Sequence, residues 1–221
     1  MPRETEIKLK IQDVKALRRR LKQLGARPVS AGRVHEENVI FDTPQGGLAK
    51  HGQLLRIRTE TPEGPGKAKR ARPRVLLTFK RPVARQAVSA ADHPPDGSYK
   101  VREEIEMEVT DAATLTTIFE GLGMKGWFRY EKYRTTLQLP ASKAWARGLL
   151  IELDETPIGT FVELEGPATA IDRAARELGY LKRDYVLKNY LTLYVEECRR
   201  RGEQPLHMVF PARVSPASQL Q

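Results

Sequence analysis

Acidic and basic side chains at every second position are the most distinctive chemical feature of this sequence. The first run, from Glu4 to Lys10, places two acids and then two bases at alternate positions, with Ile7 and Leu9 between them. A period of two is typical of a β-strand, because successive side chains of a strand point to opposite faces. Six later segments repeat the pattern, and their charged faces carry Arg56, Arg58, Lys80, Arg102, Glu104, Glu106, Glu108, Lys132, Arg134, Glu152, Asp154, Glu163 and Glu165.

Two kinds of site explain charged faces of this type. Arginine and lysine side chains bind phosphate oxygens. Carboxylates without neighbouring histidine or cysteine suit Mg²⁺ or Mn²⁺, hard ions that take oxygen ligands and share them with phosphates. The pattern therefore predicts a ligand with several phosphates in a row, bound together with divalent metal ions. The alternative is a sheet whose polar face is stabilised only by cross-strand ion pairs, each contributing about 0.2–1 kcal/mol.

Composition narrows the class of partner. The 221 residues include 38 lysines and arginines against 28 acids, and the resulting net charge of +10 favours an anionic partner. A hydrophobic share of 40% excludes gross disorder, and no apolar run reaches the length of a membrane span. Aromatic residues make up 7% of the chain, with no pair on a strand face that could stack bases, which argues against nucleic acid as the partner.

Cysteine usage and the N-terminal sequence predict the compartment. The single cysteine, Cys198, cannot form an internal disulfide and fits a reducing environment. Charged residues occupy the first ten positions, and no apolar core of a signal peptide follows them. We therefore expect a soluble, cytoplasmic protein. The four histidines are scattered singly, so the sequence shows no zinc site, and whether the protein is a monomer or a homodimer stays open.

Helical patterns interrupt the strands at four places. Asp13 is an N-cap candidate for a helix that runs through Leu24 and ends at Gly25. Asp111 is the N-cap candidate for a second helix that runs to about Leu122. Two further helices are predicted over residues 168–178 and about 186–200. With a strand over residues 33–41, the sequence predicts about eight antiparallel strands with helices packed outside, an α+β fold.

A closed barrel of eight strands has an inside and an outside, and the charged faces must all take one of them. Amphipathic helices, such as the one with Leu17, Leu21 and Leu24 on one stripe, can cover the apolar faces from outside. The charged faces then line the interior as a hydrated tunnel. We assign residues 1–200 to this domain and residues 201–221 to a C-terminal tail that is either disordered or docked on the barrel.

The ordered set of charged motifs resembles the CYTH superfamily, also called triphosphate tunnel metalloenzymes. The resemblance covers roughly residues 3 to 195 and rests on Glu4-x-Glu6-x-Lys8, Arg56-x-Arg58, Lys80, Arg102-x-Glu104-x-Glu106, Lys132-x-Arg134, Asp154 and Glu163-x-Glu165. It implies an eight-stranded antiparallel tunnel in which bases hold a triphosphate and acids hold Mg²⁺ or Mn²⁺. Family members include class IV adenylate cyclases, thiamine triphosphatases and inorganic triphosphatases.

The resemblance also implies a role for individual residues. The implied metal ligands are Glu4, Glu6, Glu163 and Glu165, with Glu104 and Glu106 as contributors from the opposite wall. The implied phosphate-binding residues are Lys8, Arg56, Arg58, Lys80, Arg134 and, projecting from the last helix, Lys188. Lys132 matches a position proposed to activate water, a role that requires a lowered pKa.

Three functions remain open at this point. The first is metal-dependent hydrolysis of a triphosphate-containing small molecule, namely inorganic triphosphate, thiamine triphosphate or a nucleoside triphosphate. The second is cyclisation of ATP to cyclic AMP and pyrophosphate. The third is a non-catalytic module that binds polyphosphate or nucleotide. The absence of a purine-recognition motif favours hydrolysis.

Overall fold

A computed structural model describes residues 3–64, 72–83 and 97–211 of the chain. Its strands are β1 (Arg3–Ile11), β2 (Arg27–Asp42), β3 (Leu54–Pro62), β4 (Arg74–Pro82), β5 (Lys100–Val109), β6 (Lys125–Gln138), β7 (Leu150–Thr156), β8 (Gly159–Glu165) and β9 (Tyr185–Val186). Its α-helices are α1 (Val14–Leu24), α2 (Gly47–Lys50), α3 (Ala112–Gly121), α4 (Ala168–Glu177) and α5 (Tyr190–Arg201).

Eight of the strands form a closed antiparallel barrel. Around the ring the order is β1, β5, β4, β3, β2, β6, β7 and β8, and β8 pairs with β1 again. Strand β1 closes the barrel because its first half pairs with β5 and its second half with β8, in the register Glu4↔Arg102 and Lys8↔Glu163. The predicted α+β fold, an eight-stranded antiparallel barrel with helices outside, is confirmed.

The apolar faces of the strands point outward, beneath the helices. Ile7 and Leu9 of β1 are fully buried in a cluster that also contains the inner stripe of α1, the outer faces of β7 and β8, and residues of α4. On the other side of the barrel, Phe119 of α3 packs on Phe41 and Ile57. The apolar core therefore lies between the helices and the outer faces of the strands. The alternate side chains of the strands face the interior of the barrel.

Helix boundaries follow the capping residues. The Asp13 carboxylate accepts a hydrogen bond of 2.8 Å from the amide of Ala16, and Gly25 ends α1 in the left-handed conformation. The last helix begins later than predicted, at Tyr190 instead of near Val186. The reason is that Val186 pairs with β1 in the short strand β9, and Asn189 caps the helix through a 2.8 Å bond from the amide of Thr192.

The last helix and the segment after it pack against β6. Met208 is fully buried, and its backbone forms a parallel bridge with Tyr130 of β6. It packs there with Phe128, Tyr130 and Tyr190 in a second apolar cluster. Residues 203–211 of the predicted tail are thus docked, whereas residues 212–221 lie outside the described part of the chain.

Candidate functional site

The barrel encloses a cavity of about 580 Å³ that is lined mainly by charged side chains. Its acids are Glu4, Glu6, Asp42, Glu104, Glu106, Glu152, Glu163 and Glu165, and its bases are Arg3, Lys8, Arg56, Arg58, Lys80, Lys100, Arg102, Lys132 and Arg134. Twelve of the thirteen predicted site residues are brought together here, from six different strands. The expectation that the charged faces turn inward therefore matches the structure.

Lys188 is the predicted site residue that lies elsewhere. Its ammonium group pairs with Glu196 of α5 at 2.7 Å, and its side chain is about half exposed. The two residues that follow it, Asn189 and Tyr190, reach the cavity instead, because they form the first turn of α5. Two further members of the charged faces, Lys10 and Glu108, are exposed at strand ends.

Asp154 is a densely hydrogen-bonded acid of the interior. It is fully buried and accepts hydrogen bonds from Lys132 Nζ at 2.8 Å and from Arg134 Nε and Nη2 at 2.7 and 2.6 Å. The Tyr190 hydroxyl donates a fourth bond of 2.7 Å. The bidentate pairing with Arg134 holds that guanidinium in one orientation. Nη2 of Arg134 also donates a hydrogen bond of 2.6 Å to Glu163 Oε2.

These partners decide the protonation of Lys132. Burial and the neighbouring Arg134 would lower the pKa of Lys132, but the carboxylates of Asp154 and Glu36 outweigh them, so its pKa is raised. The expectation that Lys132 has a lowered pKa, suited to accepting a proton from water, is wrong. The physical reason is that two carboxylates lie against its ammonium group, Asp154 at 2.8 Å and Glu36 at 3.4 Å.

A second group of ion pairs lies along β1. The Lys8 ammonium is 3.1 Å from Glu6 Oε1 and 3.2 Å from Glu163 Oε1. Burial opposes the charged form of Lys8, but the two carboxylates outweigh it and raise its pKa. Lys80 reaches across from β4 and donates a hydrogen bond of 2.6 Å to Glu4 Oε2. Each base that could bind a phosphate here is therefore charged and already paired with an acid.

The wall formed by β3, β4 and β5 fixes two guanidinium groups. Arg56 donates to the Tyr130 hydroxyl at 3.0 Å and to Thr78 Oγ1 at 3.2 Å. Arg58 donates to Glu106 Oε2 at 3.2 Å, and Thr78 donates to the same oxygen at 2.8 Å. These bonds restrain both guanidinium groups at the cavity wall, which lowers the entropy lost when they bind an anion.

Carboxylates also face one another across neighbouring strands. The register places Glu6 directly opposite Glu165, and Glu152 directly opposite Glu163. Like charges in directly opposed positions are destabilising. Burial raises the pKa of Glu4 to about 7, and neighbouring carboxylates add to this effect although an ammonium group opposes it. Glu4 is therefore partly protonated near neutral pH, whereas lysine ammonium groups outweigh burial and hold the pKa of Glu6 and Glu163 below the usual range.

This crowding bears on whether a metal ion fits. Within residues 3–64, 72–83 and 97–211, no three carboxylate, imidazole or thiol groups converge in the arrangement of a metal site. The carboxylates of β1 and β8 are instead turned toward lysine ammonium groups. Carboxylate oxygens are the type of ligand that Mg²⁺ and Mn²⁺ prefer, so the donor chemistry fits these ions, although Glu6 and Glu163 are each paired with a lysine in this arrangement.

Several residues that shape the site were not predicted as site residues. Glu36 of β2 is fully buried beside Lys132 and Arg134. Its strand was predicted, but Glu36 was not recognised as part of the site. Its alternation with Asn38 was the only signal in the sequence. Lys100 pairs with Glu6 but precedes the run that marked β5. Tyr190 carries no charge, so charge patterning could not identify it.

The fold and the site define a charged β-tunnel protein, and a family comparison agrees. The family model of the CYTH domain matches residues 2–190, so the chain belongs to the CYTH family. Among proteins with curated descriptions, the comparison finds no match.

Solved structures show the same fold. A protein of Pyrococcus horikoshii OT3 is 24% identical with a TM-score of 0.65, over 88% of this chain and 99% of that one. A candidate adenylate cyclase of Vibrio parahaemolyticus is 17% identical with a TM-score of 0.63, over 86% and 96% of the two chains. A candidate adenylyl cyclase of Hippeastrum, described as having a dominant triphosphatase activity, is 21% identical with a TM-score of 0.50, over 91% and 97% of the two chains.

None of the helices in the described ranges is long and apolar enough to cross a membrane.

Proposed function

We propose that the protein hydrolyses a triphosphate-containing small molecule in a reaction that depends on Mg²⁺ or Mn²⁺. The observation that carries this proposal is the cavity itself, in which Lys8, Arg56, Arg58, Lys80 and Arg134 converge from four strands within a wall of carboxylates. Neutral or apolar ligands would not repay the burial of so many charges, whereas a chain of phosphates meets a base at each step.

The balance of charge supports a role for a divalent cation. The cavity wall contains nine bases and eight acids, and the buried acids Glu36 and Asp154 lie directly behind it. The interior as a whole therefore has no excess of positive charge with which to neutralise a triphosphate. Glu4, Glu6, Glu163 and Glu165 would hold the ion, with Glu104 and Glu106 opposite. When bound, a divalent ion neutralises phosphate oxygens and stabilises the charge that develops on the transferred phosphoryl group.

In the proposed reaction a water oxygen bonds to the terminal phosphorus, and the bond from that phosphorus to the bridging oxygen breaks. The products are orthophosphate and a diphosphate, which between them take up the two protons of the water. Arg58 and Arg134 hold the phosphoryl oxygens, and Lys132, which keeps its proton, fixes Asp154 and supplies positive charge. Phosphoryl transfer of this kind depends mainly on positioning and electrostatic stabilisation, which these restrained cations provide. The triphosphatase activity described for the Hippeastrum protein, which shares the fold, is consistent with this chemistry.

Cyclisation of ATP is the second candidate, and one observation favours it. The cavity wall also contains Ile40, Leu54, Trp127 and Leu191, apolar side chains that an inorganic triphosphate would not use. A flat organic group such as adenine could pack on them. In that reaction the ribose 3′-oxygen attacks the α-phosphorus, and pyrophosphate leaves.

The test is to incubate the purified protein and Mg²⁺ or Mn²⁺ with inorganic triphosphate, thiamine triphosphate and ATP in turn. Orthophosphate, pyrophosphate and cyclic AMP are measured separately. Glu4→Ala and Glu6→Ala should abolish turnover, and Glu108→Ala is the matched control because its side chain is exposed on the same kind of charged strand.

Each outcome assigns a different function. Orthophosphate release that is lost in the two cavity variants and on chelation supports the hydrolase. Cyclic AMP with pyrophosphate assigns the protein as a cyclase. If no substrate is turned over but inorganic triphosphate binds equally well to the wild type and to Glu4→Ala, the tunnel is a binding site and the proposed catalysis is refuted.

A further inference from the structure

Glu36 is the most completely buried acid of the interior that has no role in the proposed reaction. It lies on β2 with a fully buried side chain, and it is not part of the cavity wall. The register places it opposite Lys132 on β6. A ligand in the cavity therefore cannot touch Glu36, and any influence on the reaction must pass through the residues around it.

Three cations surround this single carboxylate. Glu36 Oε2 is 3.4 Å from Lys132 Nζ, and Oε1 is 3.5 Å from Arg134 Nε and 3.6 Å from Arg58 Nη1. In the described part of the chain neither oxygen receives a hydrogen bond. The cations that converge on Glu36 come from both strands that flank β2. Glu36 is thus a shared counter-charge held at similar distances from all three, and not the partner of any one of them.

Without the charge of Glu36, the three buried cations would repel one another. Each of the three also reaches the cavity wall, where a phosphate would meet it. Burial works against the charge of Glu36, but Lys132, Arg134 and Arg58 outweigh it and hold its pKa below the usual range, so the carboxylate stays ionised. Its effect on the spacing of the cations is therefore permanent at neutral pH.

We propose that Glu36 is a positioning residue that sets the spacing of Arg58, Lys132 and Arg134 for the transferred phosphoryl group. It does so from behind the cavity wall, without contact with the substrate. This rests on the proposed function, since a defined spacing of cations matters only for a ligand of several phosphates. Pre-set cations stabilise a transition state because no reorganisation is needed when its charge develops.

The proposal separates turnover from binding. In Glu36→Gln the side chain keeps its volume and loses its charge, so the three cations move apart while the interior becomes more positive. We expect kcat with the triphosphate substrate to fall by about 10- to 100-fold, the range typical of residues that orient another group. KM should not rise, because the anion still meets all of its cations. A residue that served only the stability of the barrel would lower the melting temperature and leave kcat and KM of the folded protein unchanged.

Two further variants complete the test. Glu37→Gln makes the same chemical change at the next position, whose side chain is exposed, and should behave as wild type. Glu36→Asp keeps the charge and should retain most of the activity, so it also provides the comparison if Glu36→Gln does not fold. Wild-type kcat in folded Glu36→Gln, or loss of activity in Glu36→Asp equal to that in Glu36→Gln, would overturn the proposal.

Calorimetric binding of inorganic triphosphate distinguishes this proposal from the proposed function. If the wild type binds triphosphate without hydrolysing it, the hydrolase is refuted, and the affinities decide the role of Glu36. Tighter binding by Glu36→Gln than by wild type and Glu37→Gln would then support Glu36 as the counter-charge of the cations. Equal affinity in all three proteins, or no binding by any of them, would refute it.

Discussion

Replacement of Asp154 by asparagine tests whether the interior charges depend on one another. The substitution conserves the size of the side chain and removes the negative charge that Lys132, Arg134 and Tyr190 share. Its new NH₂ group would also face donors. Because the side chain is fully buried, water cannot replace the lost partner.

The expected loss can be worked out from the contacts. Breaking a buried ion pair by removing one partner typically costs about 3–5 kcal/mol, since the other charge stays buried and unpaired. A count of the lost charged hydrogen bonds, each worth about 1.5–3 kcal/mol, leads to the same range for two of them. The free energy of unfolding of a domain is about 5–15 kcal/mol, so Asp154→Asn should remove about a fifth or more of the stability. For a chain of this length the melting temperature should fall by about 6–20 °C.

Urea unfolding of wild type and Asp154→Asn, followed by circular dichroism, measures this loss as a change in midpoint at constant slope. The control is Glu196→Gln, which removes one partner of the half-exposed pair with Lys188 and should cost less than about 1 kcal/mol. A loss below about 1 kcal/mol in Asp154→Asn would refute the reasoning. It would mean that the interior cations are neutralised by other groups or by water.

Two further predictions concern the tail and the pH dependence of stability. Met208→Ala should lower the free energy of unfolding by about 2–5 kcal/mol because the side chain is fully buried. Val209→Ala, at a residue that is 41% exposed, should lower it by less than about 1 kcal/mol. Equal losses for the two variants in urea unfolding would show that the tail is not docked. Burial and the carboxylates of Glu163 and Asp154 raise the pKa of Glu152 to about 8 against the effect of Arg134, so the folded protein keeps a proton that the unfolded chain releases. Wild type should therefore lose stability relative to Glu152→Gln as pH rises from 4.5 toward 8 in metal-free buffer. Parallel stability curves for the two proteins would contradict the raised pKa.

Periodicity along the chain was enough to place most of the site. Strand pairing turns every second side chain to the same face, so the charges of Glu4-x-Glu6-x-Lys8 or Lys132-x-Arg134 could be assigned to one surface without knowledge of their neighbours. The apolar stripe of α1 showed which surface had to be covered. Together these local rules account for the barrel and for the twelve predicted residues in its cavity.

The pairing of charges, in contrast, depends on distances across the barrel. The role implied for Lys132 required a lowered pKa, but Asp154 of the neighbouring strand lies 2.8 Å away and contributes to raising it. Lys188 was predicted at the cavity, but the rotation of the first turn of α5 directs Asn189 and Tyr190 there. Neither the Lys132–Asp154 distance nor the rotation of α5 can be predicted from the residue pattern of a single strand or helix.

What the sequence determined by itself was therefore the fold, the inward direction of the charged faces and the class of ligand that such faces suit. What only the tertiary structure decided was which acid neutralises which base, that Glu36 lies among three cations, and that the segment around Met208 docks on β6. The physical reason is that a side chain's face follows from local backbone geometry, whereas a pKa follows from burial and from the nearest charges. Those charges are brought together only when the eight strands close.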